Sequence, residues 1–319
     1  MNNEQLLKMP SWKRFLLEAA LRVPHATGVR VLTGFFGSSV AQRLLFAGRR
    51  RSLRRLITAI HSPADESAAM TRHLLSNLAL PWLVSNVSRC DEEELRRHVH
   101  VENEALLEQA RAKGKGVLVV GCHTGVSRLV PWWLMRHGHT VAAMEPEPWL
   151  RKMHARDAER VKSIVMRGEG EQFWLRQIFQ ARKELAAGST VHVAMDGLQG
   201  TGGESRDFLG RARVFHVGLV LVALSMSVPV VEALTEIDER GRMNVRFLDP
   251  LEDADEEMAL EEKGKRFLSN YTASLERFWV ENPGNVQIRH LRHYLNLASA
   301  PQAGPTDAGN PQGKEQASA

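Results

Sequence analysis

Apolar positions fall at three- and four-residue intervals over the first hundred or so residues, then gather into short unbroken runs. The first pattern is that of amphipathic helices, the second that of strands buried on both faces. Residues 12–22 and 69–87 carry the helical spacing, the latter through Leu74, Leu75, Leu78, Leu80 and Leu83. From residue 116 the two patterns alternate. Strands are expected at 117–121, 140–144, 190–195, 229–234 and 243–248, and helices at 125–137, 148–165, 171–187, 215–226 and 255–281. This alternation predicts an α/β fold: a mixed central sheet flanked by helices, preceded by a helical region. The expected division is 1–110 for the helical region, 111–297 for the α/β domain and 298–319 for a disordered tail. That tail, of Ala, Gly, Pro, Gln and Ser, is too poor in apolar residues to offset its ordering entropy.

Composition and charge narrow the classes. A chain of 319 residues that is 43% hydrophobic and 25% charged can bury its own core and is neither fibrous nor wholly disordered. Two cysteines, Cys90 and Cys122, exclude a disulfide framework and a cysteine-rich zinc site. No apolar run reaches the ~20 residues of a membrane span, and charges interrupt every candidate signal-peptide core. The expected location is the cytoplasm, with peripheral attachment to the inner membrane left open. The first sixty residues hold eleven basic and two acidic side chains, so the net +5 of the chain hides a strongly basic lobe on a mildly acidic body. Such a lobe suits a partner of fixed negative charge. Arg49, Arg50, Arg51, Arg54 and Arg55 interleave with Leu44, Leu45, Phe46, Leu53, Leu56 and Ile57, as in a helix lying on an anionic membrane surface. Nucleic acid is not expected, because no recognised module or aromatic stacking motif accompanies the charge.

Two stretches could carry chemistry. In Gly121-Cys-His-Thr-Gly-Val-Ser-Arg128, His123 falls where a strand ends and a helix begins, the place where catalytic groups collect in open α/β sheets. An imidazole there can remove a proton from an alcohol at neutral pH. The second stretch runs from Asp196 to Arg213. Its glycines, Gly197 and Gly200 among them, let backbone N–H groups approach an anion, and Arg206, Arg211 and Arg213 can add charge-assisted bonds to phosphate. It is neither a P-loop nor a dinucleotide fingerprint. His98, His100, His137 and His139 lack the i, i+4 spacing of a helical zinc site, so no metal is expected. Trp132, Trp133 and Trp149 suit either core packing or the wall of an acyl tunnel.

The order of these pieces resembles the lysophospholipid acyltransferase superfamily, and within it the bacterial lipid A biosynthesis (lauroyl/myristoyl) acyltransferases. Residues 116–125 are similar to the strand and histidine turn, Asp196-Gly-Leu-Gln-Gly200 to the Asp-x-x-x-Gly loop and Asp207-Phe-Leu-Gly-Arg-Ala212 to the following Phe-x-Gly segment. Ser227-Val-Pro-Val-Val231 resembles Gly-x-Pro-Val-Val, and Glu281-Asn-Pro-Gly-Asn-Val-Gln287 the closing segment. The resemblance implies transfer of a fatty acyl chain from acyl carrier protein or coenzyme A to a hydroxyl or amine, on a lipid or glycolipid, without a cofactor. His123 would be the general base. Gly197, Gly200, Arg206, Arg211 and Arg213 would bind substrate.

One departure matters. The family places an acid five residues after the histidine, where this chain has Arg128. Arginine cannot orient an imidazole as a carboxylate does, although it can grip an anionic substrate group. Three accounts stand open. The acid comes from elsewhere, Glu145 first and Asp196 second; or His123 works alone; or the protein is a non-catalytic adaptor that binds lipid or acyl carrier.

Overall fold

The computed structural model describes residues 23–88, 90–145, 161–165, 171–198, 203–252 and 257–297. Trp149, Gly200, the amphipathic stretch 12–22 and the tail 298–319 lie outside them. The N-terminal part is a run of short helices: α1 (His25–Gly37), α2 (Ser39–Leu44), α3 (Ala47–Ala59), α4 (Glu66–Leu74), α5 (Leu80–Val87), α6 (Glu92–His98) and α7 (Glu104–Ala112). Asp65 and Asp91 start α4 and α6 by accepting the N–H of Ala68 and Glu94, each at 2.8 Å. A π-turn, Leu75–Ala79, joins α4 to α5 just ahead of Pro81, which lacks the N–H that an uninterrupted helix would use.

Nine strands follow among the described residues. They are β1 (Val99–Glu102), β2 (Val117–Gly121), β3 (Val141–Glu145), β4 (Val161–Val165), β5 (Thr190–Ala194), β6 (Glu204–Phe208), β7 (Arg211–Phe215), β8 (Val230–Ile237) and β9 (Met243–Leu248). Between and after them come α8 (Leu129–Arg136), α9 (Glu171–Ala186), α10 (Gly218–Ser225), α11 (Leu260–Glu281) and α12 (Ile288–Asn296). Seven strands form one mixed sheet in the order β1-β9-β8-β2-β5-β3-β4, and β6 and β7 form a separate antiparallel hairpin. Strand β2 lies at the centre, parallel to β8 and β5, with all five of its residues buried. This is the α/β architecture with a mixed sheet that the hydrophobic pattern predicts.

Three details differ from the pattern. Residues 161–165, read as the end of a helix, are β4: Val-Lys-Ser-Ile-Val is too short for its strand character to show beside the helical spacing before it. Residues 99–102, in the stretch read as helical, are an edge strand added to β9. The charged run after the glycine loop is a hairpin, turned by Leu209 and Gly210, both at positive φ (51° and 78°) as a two-residue hairpin turn requires. Glu276 accepts the Leu209 N–H at 2.7 Å and the Tyr294 hydroxyl donates to the Leu209 carbonyl at 2.7 Å, holding that uncommon conformation.

The long α11 closes the core with Gly264, Phe267, Leu268, Tyr271, Leu275, Phe278 and Trp279 on one buried face, the three- and four-residue spacing of an amphipathic helix. Trp132 and Trp133 are 1% and 3% exposed and pack in the core, Trp133 against His137 and Phe247. Leu53 and Leu56, interleaved with the arginines of α3, are likewise wholly buried, so the apolar face of α3 points inward.

Candidate active site

Two strand ends build the site. Strands β2 and β5 are parallel neighbours, with Gly121 opposite Ala194. His123 and Asp196 each lie two residues past that pair and so emerge level, one strand spacing of ~4.8 Å apart. The geometry is tight. His123 Nδ1 lies 2.7 Å from Asp196 Oδ1, and the His123 backbone N–H donates to both carboxylate oxygens at 3.0 and 3.1 Å. A carboxylate can only accept, so Nδ1 carries the proton and Nε2 is left as the basic nitrogen. The His123 side chain is 35% exposed while Asp196 is fully buried.

The turn bearing His123 is held by the closing segment. Gly125 N–H donates to the Asn285 carbonyl at 2.7 Å, Gln287 N–H donates to the His123 carbonyl, and Thr124 bridges Val286. Asn285 is itself fixed by accepting from Ile237 N–H and donating to the Ile237 carbonyl. The Tyr271 hydroxyl donates to the Gly121 carbonyl at 3.0 Å, tying α11 to the end of β2.

Beneath Asp196 lies Arg213. It is 2% exposed and donates to the Asp196 carbonyl at 3.2 Å and to Oδ2 at 3.3 Å. Phe208, Phe215 and Trp279 surround its guanidinium, with ring centroids at 4.9, 5.4 and 5.1 Å. The same Nη2 lies 3.3 Å from His290 Nδ1, and the His290 ring stacks on His123 at 4.2 Å with 17° between planes. Burial alone would raise the Asp196 pKa, but His123, His290 and Arg213 together hold it far below the usual carboxylate range. Burial pushes His290 down to about 3, so that ring is neutral. Burial, followed by the neighbouring His123, lowers His192 to about 4. Burial also drives the Cys122 thiol well up, which rules out a thiolate nucleophile next to the base.

The structure thus joins His123 to Asp196. Glu145, ranked first from the sequence, could reach His123 only if β3 adjoined β2; β5 lies between them, which puts Glu145 on a strand twice as far from His123 as Asp196 is. Arg128 stands exposed at the N-terminal boundary of α8. Gly197 follows Asp196 directly and is half-buried. Of the three loop arginines read as phosphate ligands, Arg213 is consumed under Asp196. Arg211 donates to the Leu297 carbonyl at 2.6 Å and stacks on Tyr294, and Arg206 pairs with Glu204 at 2.9 Å. His290 and Tyr271 escaped the sequence reading. They sit at ordinary helical spacings more than a hundred residues from His123, and nothing local marks them.

His123, Asp196 and His290 bring potential ligand atoms within 4.8 Å of one another. The Arg213 guanidinium already faces both Asp196 and His290 there, so a metal ion would meet a fixed positive charge.

A family comparison fits this arrangement: residues 2–263 match bacterial lipid A biosynthesis acyltransferase. The chain belongs to that family. Among curated proteins none matches it. Membership makes this an acyltransferase of the lipid A acyltransferase type, with an acyl donor and a lipid acceptor in general terms. The match takes in His123, Asp196 and Arg213 but ends within α11, ahead of Tyr271, Asn285 and His290. No helix among the described residues is long and apolar enough to cross a membrane.

Proposed function

We propose that this family member transfers a fatty acyl chain from acyl carrier protein or coenzyme A to a hydroxyl or amine of a lipid or glycolipid, with His123 as general base and Asp196 as its orienting acid. The observation that carries this reading is the 2.7 Å contact between His123 Nδ1 and the buried Asp196 carboxylate, beneath a ring that is partly open to solvent. His123 Nε2 takes the proton of the acceptor O–H or N–H as its heteroatom attacks the thioester carbonyl. The tetrahedral intermediate collapses by breaking the C–S bond, and the imidazolium returns its proton to the thiolate. Asp196 steadies the imidazolium without taking up its proton. In the histidine turn the N–H groups of His123 and Gly125 are already engaged, so neither serves as an oxyanion donor.

Attachment to an anionic membrane belongs to the same proposal, through α1 and α2 rather than the inward apolar face of α3. Val31, Phe35, Val40, Leu44 and Leu45 are 46–76% exposed on this pair and its exit, beside exposed Arg30 and Arg43. No acidic residue occurs between Glu18 and Asp65. Exposed apolar side chains rimmed by positive charge favour insertion among anionic headgroups.

The test is turnover of labelled acyl carrier protein and acyl-coenzyme A by purified protein against a lipid extract, read by mass spectrometry. Transfer that disappears in His123→Ala supports the proposal. Acyl-carrier binding without transfer would support the adaptor reading, whose motive was Arg128 in the acid's usual place and which the Asp196 contact weakens.

A further inference from the structure

Arg49 and Arg292 are two basic residues, on helices that pack together, that the acyl-transfer chemistry leaves unused. Arg49 lies in the first turn of α3 and is half-buried; Arg292 lies on the exposed side of α12, and the two helices pack together. Arg49 Nη1 is buried without a hydrogen-bond partner among the described residues. Burial, and then the proximity of Arg292, depress the Arg49 pKa. His73 is held neutral, at about 3, chiefly by burial and further by the positive charge of Arg49 and of Arg292. Among the described residues no carboxylate pairs with Arg49 or Arg292, although Arg50 and Arg54, on the same helix as Arg49, share Glu66 at 2.6 and 2.7 Å.

This arrangement is costly as it stands. Two guanidiniums repel each other, and a buried N–H with no acceptor calls for a partner. The N-terminus of α3 adds to the positive potential, because Phe46 offers no side-chain cap and the first-turn N–H groups have no intrahelical acceptors. A tetrahedral anion with several acceptor oxygens answers each of these features at once.

We infer that α3 and α12 hold a phosphate group between Arg49 and Arg292. The chemical class is a phosphate monoester or diphosphate, carried by the coenzyme of the donor or by the acceptor lipid. The inference deepens the acyl-transfer reading and rests on it for its purpose, since α12 also carries His290, which stacks on His123. Arg292 and α12 lie beyond the residues matched by the family.

Thermal unfolding of the full chain in inorganic pyrophosphate, against sodium chloride of equal ionic strength, tests the site without requiring turnover. The expected result is a saturable rise in Tm for the wild type and apparent affinity weaker by about tenfold or more in Arg292→Gln. Without anion, Arg292→Gln should melt higher than the wild type because a repulsion has been removed; a residue that merely braces the helices would melt lower. Arg49→Gln should behave alike, and if it fails to fold, the exposed Arg292→Gln decides alone. Displacement of pyrophosphate by coenzyme A assigns the site to the donor, and displacement by dihexanoyl phosphatidic acid assigns it to the acceptor. The inference is overturned by a wild type that responds no more than to chloride, by a variant that keeps the shift, or by displacement with neither compound. Acyl transfer with no pyrophosphate response would sink the phosphate site and leave the base mechanism standing.

Discussion

At the scale of single residues, Asp196 bears the most. It is buried, ionised and shared by His123, Arg213 and His290, so its replacement has two separable effects. Asp196→Asn leaves the Arg213 charge buried without its carboxylate and should destabilise the fold by about 3–5 kcal/mol, read by urea unfolding. His123→Ala removes a partly exposed ring and should cost far less. Glu232 offers a contrasting prediction. It is almost fully buried on β8, accepts from the Ser274 hydroxyl, and burial raises its pKa to about 8. A carboxyl that ionises more easily once unfolded gives stability that is complete below its ordinary value near 4.5 and declines as pH rises toward 8. Glu232→Gln should therefore raise stability at pH 8 by about 2 kcal/mol or more and leave it nearly unchanged at pH 4.5. The residues that matter were only partly legible in the chain. His123 announces itself by ending a strand and opening a turn, and Asp196 by heading a glycine loop. Nothing in a run of charged residues separates the buried Arg213 from Arg206 on its surface, because the face a strand residue takes is set by the register of its partner.

At the scale of elements, strand order was the piece that sequence could not supply. Hydrophobic runs locate β2, β3 and β5, yet which of them adjoin depends on packing across the whole sheet, and only that order separates Asp196 from Glu145 as the partner of His123. The turns are more legible, since backbone conformation limits the residues that can occupy them. Ser227 follows α10 at φ 53°, in the position where the resemblance places a glycine. Ser227→Gly should stabilise the protein by roughly 0.5–1 kcal/mol by relieving the left-handed strain, measured as a rise in Tm. Gly125 makes the opposite case. It sits at φ 42°, and an added Cβ would come 2.2 Å from the Thr235 carbonyl oxygen on β8. Gly125→Ala should cost several kcal/mol, on the order of 2–4, and should also displace His123, so that stability and transfer fall together.

At the scale of the molecule, helices and sheet share one continuous core, and buried histidines make it sensitive to acid. Burial is the leading cause in holding His73 and His290 down to about 3, and His25, His139 and His192 down to about 4. A histidine kept neutral when folded takes its proton more readily once unfolded. The stability tied to these groups is present above about 6.5 and is lost as pH falls toward their folded values. Between pH 7.5 and 5.5 each of the five should weaken the fold by about 1.3 kcal/mol, or roughly 6–7 kcal/mol together. Urea midpoints at the two pH values check this, and equal midpoints would refute it. The basic lobe was visible in the sequence as charge. Of the apolar residues interleaved with its arginines, Leu53 and Leu56 are buried and Leu44 and Leu45 exposed, a division that amphipathic spacing alone does not give. Leu44→Asp with Leu45→Asp should release the protein from phosphatidylglycerol vesicles without lowering its Tm.

The proposed chemistry requires above all that Asp196 orient His123. The most direct measurement is kcat/KM for acyl transfer by Asp196→Asn, on protein shown by circular dichroism to be folded, beside Glu145→Gln. A fall of about 10³–10⁴-fold at Asp196, with a much smaller one at Glu145, is the expected result. Transfer by Asp196→Asn within tenfold of the wild type would contradict it.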